Sequence, residues 1–399
     1  MKQNPAICIP AYNRGQSLSR LLISLNKASY PSKVKLIISI DQSDNPAVSK
    51  IAEDFQWAHG KKYIVNHKEH FGLKNHVLHC GNYAIEEKEL ILLEDDTYVS
   101  PYFYYFACEA VQYYENDERI CGISLYNNRV NEYSKSLFYP LVGNSDIFFG
   151  QIPASWAQAW TKSQWQNFIK SIDTLPNVIL PRNVSQWADS SSWKKLFYKY
   201  MVSHDKYYIY PYTSFVTNFG ESGQHHSKQT NVYQNQLSLK NKGYLFESLN
   251  RRSIVYDAHN EISQVFLKDM NHEMKHYDFA CDFYDSYQLK DIDNSYTLSI
   301  KNCKNPIFSY GNDLIPPELN VIFNIKGDFF NFGKTEDFLE DVNEQKRESL
   351  TIALSKVDIY GIKIANKMKL KQTRDYRLGN QILRPIRYLK NIKSKLFNI

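Results

Sequence analysis

A chain of 399 residues is long enough to bury a full core and has room for two or three domains. Its apolar share of 43% excludes wholesale disorder. The net charge of +6 gathers at the end, where eleven Lys and Arg from Lys363 onward face one acid, Asp375; the rest is slightly acidic, which excludes a nucleic-acid protein with its basic surface on the fold.

In chain order, Ala6 to Ile9 reads as a short apolar strand and Pro10 to Gly15 as a loop. Ser17 to Leu25 has helical spacing, with Leu18, Leu21, Leu22 and Leu25 on one face. Val34 to Ile40 reads as a buried strand ending at Asp41, and Pro46 to Trp57 as a helix with proline in its first turn. Tyr63–Val65 is a third strand and His70 to Glu86 a third helix. Leu90–Leu93 is a fourth strand, ending in three acids; Pro101 to Tyr114 is helical and Ile120 to Leu125 is another strand. This alternation predicts an α/β fold with a mostly parallel, Rossmann-like sheet covered on both faces. Right-handed crossovers put every strand C-terminus on one edge, where ligands bind such sheets.

After Asn127 the alternation stops. Residues 127–155 read as loops and short strands, Trp156 to about Met201 as tryptophan-rich helices, and Tyr207 to Val216 as a strand leading into the polar loop Asn218 to Ser227. From Arg251 the segments are mixed and resist assignment, and Arg377 to Ile399 is a basic helix candidate. The 30 Tyr and 22 Phe are read chiefly as core, with carbohydrate-lining rings as the alternative. Six scattered cysteines without CxxC or a histidine grouping suit reduced thiols in a cytosolic protein. The first residues lead straight into a strand without a signal-peptide stretch, and no run approaches the roughly twenty apolar residues of a membrane span. The expected location is cytoplasmic, with membrane contact only at the surface.

The sharpest feature is LILLEDDTYVSP. Three consecutive acids after a buried strand are costly unless a cation meets them. Carboxylate oxygens suit Mg²⁺ or Mn²⁺, which share their shell with phosphates. The alternative is an N-cap, Asp96 or Thr97, for the helix that follows. Two earlier strand ends converge on the same edge. Asp41 stands where an acid recognises a ribose or base edge. In Pro10-Ala-Tyr-Asn-Arg14, Tyr12 can stack and Arg14 can meet phosphate. Turn chemistry is an alternative for each alone, and an equal one for Asp41-Gln-Ser-Asp44.

ICIPAYNR, IISIDQSD, EHFGLKNHVLHCGNYA and LILLEDDTYVSPYFYYF, in that order, resemble the GT-A-fold glycosyltransferases of the family 2 type. The EDD strand with SPYFYYF also resembles the N-acetylglucosaminyltransferase I enzymes. The resemblance covers about the first 125 residues well and another hundred more loosely. It implies inverting transfer of a sugar from a nucleotide diphosphate, UDP by preference, with Mn²⁺ or Mg²⁺. By position, Asp41 would contact the base with His70 near it, Asp95 would approach the ribose or donor sugar, and Glu94 the donor sugar. Asp96 would bind the metal, and Lys74 and Asn75 would lie near the donor.

ASWAQAWTKSQW and SQWADSSSWKK resemble the tryptophan-rich stretch after the donor half, where a carboxylate deprotonates the acceptor hydroxyl. Asp189 is the candidate base by that match, although Ala188 stands where a second acid is common, and a helix N-cap is the equal alternative. Glu221 is the runner-up base. The loop Asn218–His226 resembles a segment of bacterial capsule and lipopolysaccharide transferases, making His225, or His226 beside it, a candidate late metal ligand or diphosphate contact, although most loop histidines do neither. The tail NQILRPIRYLKNIKSKLFNI can be an amphipathic helix on an anionic membrane surface, suiting a lipid-linked acceptor, or a solvated terminal helix.

The expected organisation is a donor-binding half (1–126), an acceptor-binding half of the same domain (127–250), a C-terminal region of unclear role (251–370) and the basic tail (371–399). The expected function is a metal-dependent hexosyl- or N-acetylhexosaminyl-transferase acting on a glycan or lipid-linked saccharide, with no nucleic-acid partner. The alternative is a non-catalytic sugar-nucleotide-binding or scaffold protein on a degenerate transferase fold. A sugar nucleotidyltransferase or dinucleotide oxidoreductase would need a Gly-rich loop after the first strand, where only Gly15 stands.

Overall fold

Short, wholly apolar runs separated by helices are satisfied in a sheet covered on both faces, and the N-terminal runs form one. The computed structural model describes residues 4–131, 137–221, 232–342 and 344–355. Its first elements are β1 (Ala6–Ala11), α1 (Gly15–Lys27), β2 (Leu36–Ile40), α2 (Pro46–Asp54), β3 (Lys62–Asn66), α3 (Gly72–Gly81), α4 (Tyr83–Glu87), β4 (Glu89–Leu93), β5 (Thr97–Val99), α5 (Phe103–Tyr114) and β6 (Ile120–Ser124). β3, β2, β1 and β4 lie side by side and parallel. Asn45 caps α2 by accepting the Ala47 N–H, with Pro46 in the first turn. The helix expected over 70–86 is two, α3 and α4, hinged at Asn82.

The chain continues through β7 (Ile147–Gly150), β8 (Ala157–Thr161), α6 (Lys162–Ser171), α7 (Arg182–Ser185), α8 (Trp193–Ser203), β9 (Tyr207–Pro211), β10 (Val216–Asn218) and β11 (Val255–Tyr256). Nine strands share the sheet in the order β11-β7-β9-β6-β8-β4-β1-β2-β3. β8 runs antiparallel between β4 and β6, and β7 antiparallel to β9. The expectation of helix from Trp156 is therefore corrected: residues 157–161 are a fully buried strand, and helix begins after it. Its start is marked by a capping box in which Thr161 and Gln164 bond each other's backbone N–H. The strand expected over Tyr207 to Val216 is likewise two, β9 and β10.

Ile7, Ile9, Ile91 and Ile123 join Leu18, Leu22, Val48, Phe103 and Phe106 in one core cluster, which places α1, α2 and α5 on one face. Strand side chains alternate between faces. On the other face the buried rings of Trp160, Trp165, Phe168, Phe197 and Tyr208 pack together beneath α6 and α8. Gly81 ends α3 directly against Trp165, where a Cβ would come within 2.0 Å of the ring.

The region beyond Arg251 holds α9 (Gln264–Met270), β12 (Phe279–Asp282), β13 (Tyr296–Ser299), β14 (Phe308–Tyr310), α10 (Glu318–Ile322) and β15 (Phe330–Lys334), then α11 (Glu344–Leu354). The four strands form a separate sheet, β12-β13-β15-β14. Half-buried Asp257 and buried Glu261 and Asp282 tie it together: Asp257 accepts from Tyr287 Oη at 2.6 Å, Glu261 from the Phe283 and Tyr284 N–H groups, and Asp282 from Lys301 Nζ at 2.7 Å. Residues up to Lys346 make one unit; Arg347 onward belongs to a second. The six cysteines are free thiols. Among the described residues no helix is long and apolar enough to cross a membrane. The basic tail lies outside the described residues.

Candidate functional site

Parallel strands deliver their C-termini to one edge, so the loops after β1, β2, β3 and β4 meet there. Pro10 ends β1, with Tyr12 and Arg14 in the loop before α1. Buried Asp41 follows β2, and exposed His70 precedes α3. Asp41 Oδ1 accepts the N–H groups of Gln42 and Phe71, and Oδ2 that of Gly72 at 3.0 Å, so this carboxylate anchors the start of α3. Gly72 has φ +70, a conformation that favours glycine. His70 Nδ1 stands 3.1 Å from Asp41 Oδ2, and its ring lies 5.0 Å from that of Tyr12. Lys74 Nζ donates to the Asp189 carbonyl at 2.8 Å, while Asn75 turns back to the Phe71 carbonyl.

Glu94, Asp95 and Asp96 leave the end of β4, and Arg14 meets two of them. Its Nη1 donates to Asp96 Oδ2 at 2.7 Å and its Nη2 to Asp95 Oδ1. Burial opposes the guanidinium's charge, but Asp95 and Asp96 outweigh it and raise its pKa. Burial, then the charge of Asp96, pushes Glu94 up to about 8 against the pull of Arg14 and Lys194. Asp95 rises to about 6, chiefly by burial, with Arg14 opposing. Neither Asp96 nor Thr97 caps α5, whose N-cap is Tyr102 without a side-chain bond; the Thr97 hydroxyl instead reaches the Glu94 carbonyl at 2.7 Å. The capping alternative is thereby removed.

Asp189 is exposed and ion-paired to Lys195 at 2.9 Å and Lys199 at 2.5 Å. The hydrogen bonds from Lys199 and Lys195 lower its pKa. It does not cap α8; Ser192 does, accepting the Lys195 N–H. Lys74 nevertheless ties its loop to α3. Glu221, after β10, takes both guanidinium nitrogens of Arg20 at 2.7 and 2.8 Å and the Ser17 hydroxyl. Arg20 leads the effects that hold its pKa down to about 2, and Arg14 adds to them. His225 and His226 lie outside the described residues.

Three features of this edge escaped the sequence. Half-buried Trp156 offers its carbonyl to the Glu94 N–H at 3.1 Å, and its ring packs on Tyr126 and Tyr233 at 4.6 and 4.9 Å. Lys194, over the rings of Trp187 and Tyr198, is close enough to Glu94 to lower its pKa. Asn218 stands in register with Thr97. The start of helix at the Thr161–Gln164 box was the one sequence signal for where Trp156 falls.

A divalent cation fits these residues. Asp96 Oδ1 is buried without a partner while Oδ2 holds Arg14. Among the described residues no cluster of three or more ligating side chains exists. Mg²⁺-like ions need only one or two carboxylates when phosphates and water complete the shell.

Residues 6–167, less than half of the chain, match the model for glycosyl transferase family 2. With the mostly parallel sheet and its helices, this makes the fold GT-A-like. Among solved structures, residues 1–349 of S. aureus TarS share 12% identity over 53% of this chain and 59% of theirs, with a TM-score of 0.38. The same protein in complex with UDP-GlcNAc gives 13%, 56%, 60% and 0.38. The mannosyltransferase PcManGT of Pyrobaculum calidifontis, in complex with GDP-Man and Mn²⁺, gives 16%, 44%, 48% and 0.30. The chain thus spans less than two thirds of each of these structures. No curated protein matches it.

Proposed function

We propose that the chain is an inverting glycosyltransferase that moves a hexosyl or N-acetylhexosaminyl group from a nucleotide diphosphate sugar, UDP-linked by preference, to a glycan or lipid-linked saccharide. The observation that carries this is the Glu94–Asp95–Asp96 run at the end of β4, held by Arg14, with Asp96 Oδ1 buried and unpaired inside the segment that matches family 2.

Asp96 would hold a divalent cation, which when bound supplies positive charge against the leaving diphosphate. Arg14, already at the acids, can turn a guanidinium edge to phosphate. Tyr12 and His70 offer a ring surface beside Asp41 for the base, and the Glu94 carboxyl can bond a sugar hydroxyl. Lys74 and Asn75 line the start of α3 beside them. Asp189 takes the proton of the acceptor hydroxyl, which attacks the anomeric carbon from the face opposite the departing diphosphate. Its loop is tied to α3 by Lys74, which supports acceptor and donor sides meeting there. His225 as a late metal ligand and the tail as a contact with the anionic inner face of the cytoplasmic membrane complete the proposal.

The test is thermal stability against UDP-, GDP-, CMP- and dTDP-sugars with and without Mn²⁺. A ligand of the folded state stabilises by roughly 2.7 kcal/mol at a hundred times Kd. A metal-dependent shift with one nucleotide, lost in Asp96→Ala, is expected; full transfer activity in excess chelator would sink the metal-dependent version. The ion pairs occupying Asp189 and Glu221 favour a second reading, a non-catalytic sugar-nucleotide-binding or scaffold protein, which binding without turnover would support.

A further inference from the structure

β10 is a three-residue strand that returns the chain to the acid-bearing edge. It pairs antiparallel with β5, and Asn218 stands directly opposite Thr97, the residue after Asp96. Side chains directly opposite each other in such a ladder share a face. The Thr97 hydroxyl on that face reaches the Glu94 carbonyl, so the Asn218 side chain leaves the ribbon on the side of the acidic run. One step along, Thr217 and Tyr98 take the other face, where Tyr98 lines a groove with Arg20 and Ile23.

The orientation of the carboxamide follows from its own turn. Oδ1 accepts the Gly220 N–H at 2.6 Å, and only the oxygen of an amide can do so. The NH₂ group therefore points away from the turn. Asn218 is 2% exposed, and its Nδ2 is buried without a partner. In neighbouring register, Asp96 Oδ1 has the complementary defect, a buried acceptor without a donor. Buried polar groups are nearly always paired, and these two do not pair with each other. A ligand that brings a cation to the carboxylate and oxygen atoms to the amide satisfies both.

We propose that Asn218 is a donor-binding residue whose Nδ2–H bonds a phosphoryl oxygen of the nucleotide diphosphate that Asp96 helps to hold. The proposal rests on the glycosyltransferase reading above and adds to it a neutral contact from a strand far along the chain. An amide suits the position: it can meet phosphate beside three acids without forming an ion pair with them, as a lysine would.

The experiment is calorimetric titration of the full chain with UDP and GDP in the presence of Mn²⁺, and with uridine and guanosine, for the unaltered protein, Asn218→Ala and Asn218→Ser. The serine variant keeps an oxygen that can accept the Gly220 N–H and loses the NH₂ group without adding a charge beside the three acids. Both variants are expected to lose about tenfold or more in diphosphate affinity, the size of one good hydrogen bond to a charged group. Nucleoside affinity should stay within error in the serine variant, whose ligand-free melting curve shows that it is folded. Unchanged diphosphate affinity in both variants overturns the proposal. So does an equal loss for nucleoside and diphosphate, which would mark Asn218 as a turn former alone. If the unaltered protein binds none of these nucleotides, the glycosyltransferase reading falls and takes this one with it.

Discussion

Arg14 and Asp96 are joined by a hydrogen bond of 2.7 Å across 82 residues of sequence, so the acidic run already has a cation when no ligand is present. Arg14→Ala should leave Asp95 and Asp96 crowded and uncompensated, lowering stability by about 1–3 kcal/mol. Millimolar Mn²⁺ should recover much of that loss, and chelator should abolish the recovery. Thermal melts with and without Mn²⁺ check this; a variant indifferent to Mn²⁺ would show that the acids hold no metal.

Asp189 and Glu221 are separable by variants that keep their shape. Asp189→Asn should lower kcat by about 10²–10⁴-fold, the usual worth of a general base, with nucleotide affinity unchanged. Glu221→Gln should leave kcat within a few-fold. Single-turnover rates with saturating donor decide between them, and the opposite pattern would move the base to Glu221.

Glu221 should instead show itself in acid. Its folded pKa of about 2 lies below the ordinary 4.5, because Arg20 holds the carboxylate charged. A depressed carboxylate contributes stability above its unfolded pKa and loses it as pH falls from 4.5 toward 2. Glu221→Gln should therefore flatten that part of the stability curve and leave less stability at pH 7. Equal acid-unfolding profiles for the two proteins would show that Arg20 does not hold Glu221 charged.

Glu318 carries the opposite sign. Burial raises its pKa to about 7, Tyr256 Oη reaches Oε1 at 3.3 Å, and Oε2 has no partner. Ionisation is then penalised in the folded state, so stability falls as pH rises from 4.5 to 7 and levels off above. Glu318→Gln should be more stable than the parent at pH 8, by about 2–3 kcal/mol, and no more stable at pH 4. Urea titrations at the two pH values measure the difference.

Gly81→Ala should cost about 1–3 kcal/mol, because the added methyl meets the Trp165 ring and the close packing of α3 on α6 must give way. A melting temperature equal to the parent's would show that Trp165 moves freely.

The donor half was legible because its signals are local and redundant. Val34 to Ile40 is apolar apart from Lys35 and Ser39 and stops at an acid, and Leu90 to Leu93 is apolar throughout and does the same, so strand, direction and edge follow together. β8 was not legible: Ala-Gln-Ala-Trp-Thr has little strand propensity and becomes a strand because β4 and β6 flank it. Asp41 was placed on the right edge, yet its oxygens serve Gln42, Phe71 and Gly72, a use invisible before the loop closes. The bond from Arg14 to the acids and the unpaired amide of Asn218 depend on contacts between distant segments, and no periodicity announces them. Beyond Arg251, short strands are held by buried acids such as Asp282 with Lys301, which in sequence look like surface charge.

Because β8 runs against its neighbours, it begins where β4 ends, with Ala157 opposite Leu93. The residue before it, Trp156, is fastened to Glu94 by its carbonyl alone. That bond uses main chain on both sides, so it does not depend on the side chain that position 156 carries. Position 156 can therefore exchange its side chain without releasing the backbone bond that sets where Glu94 leaves β4.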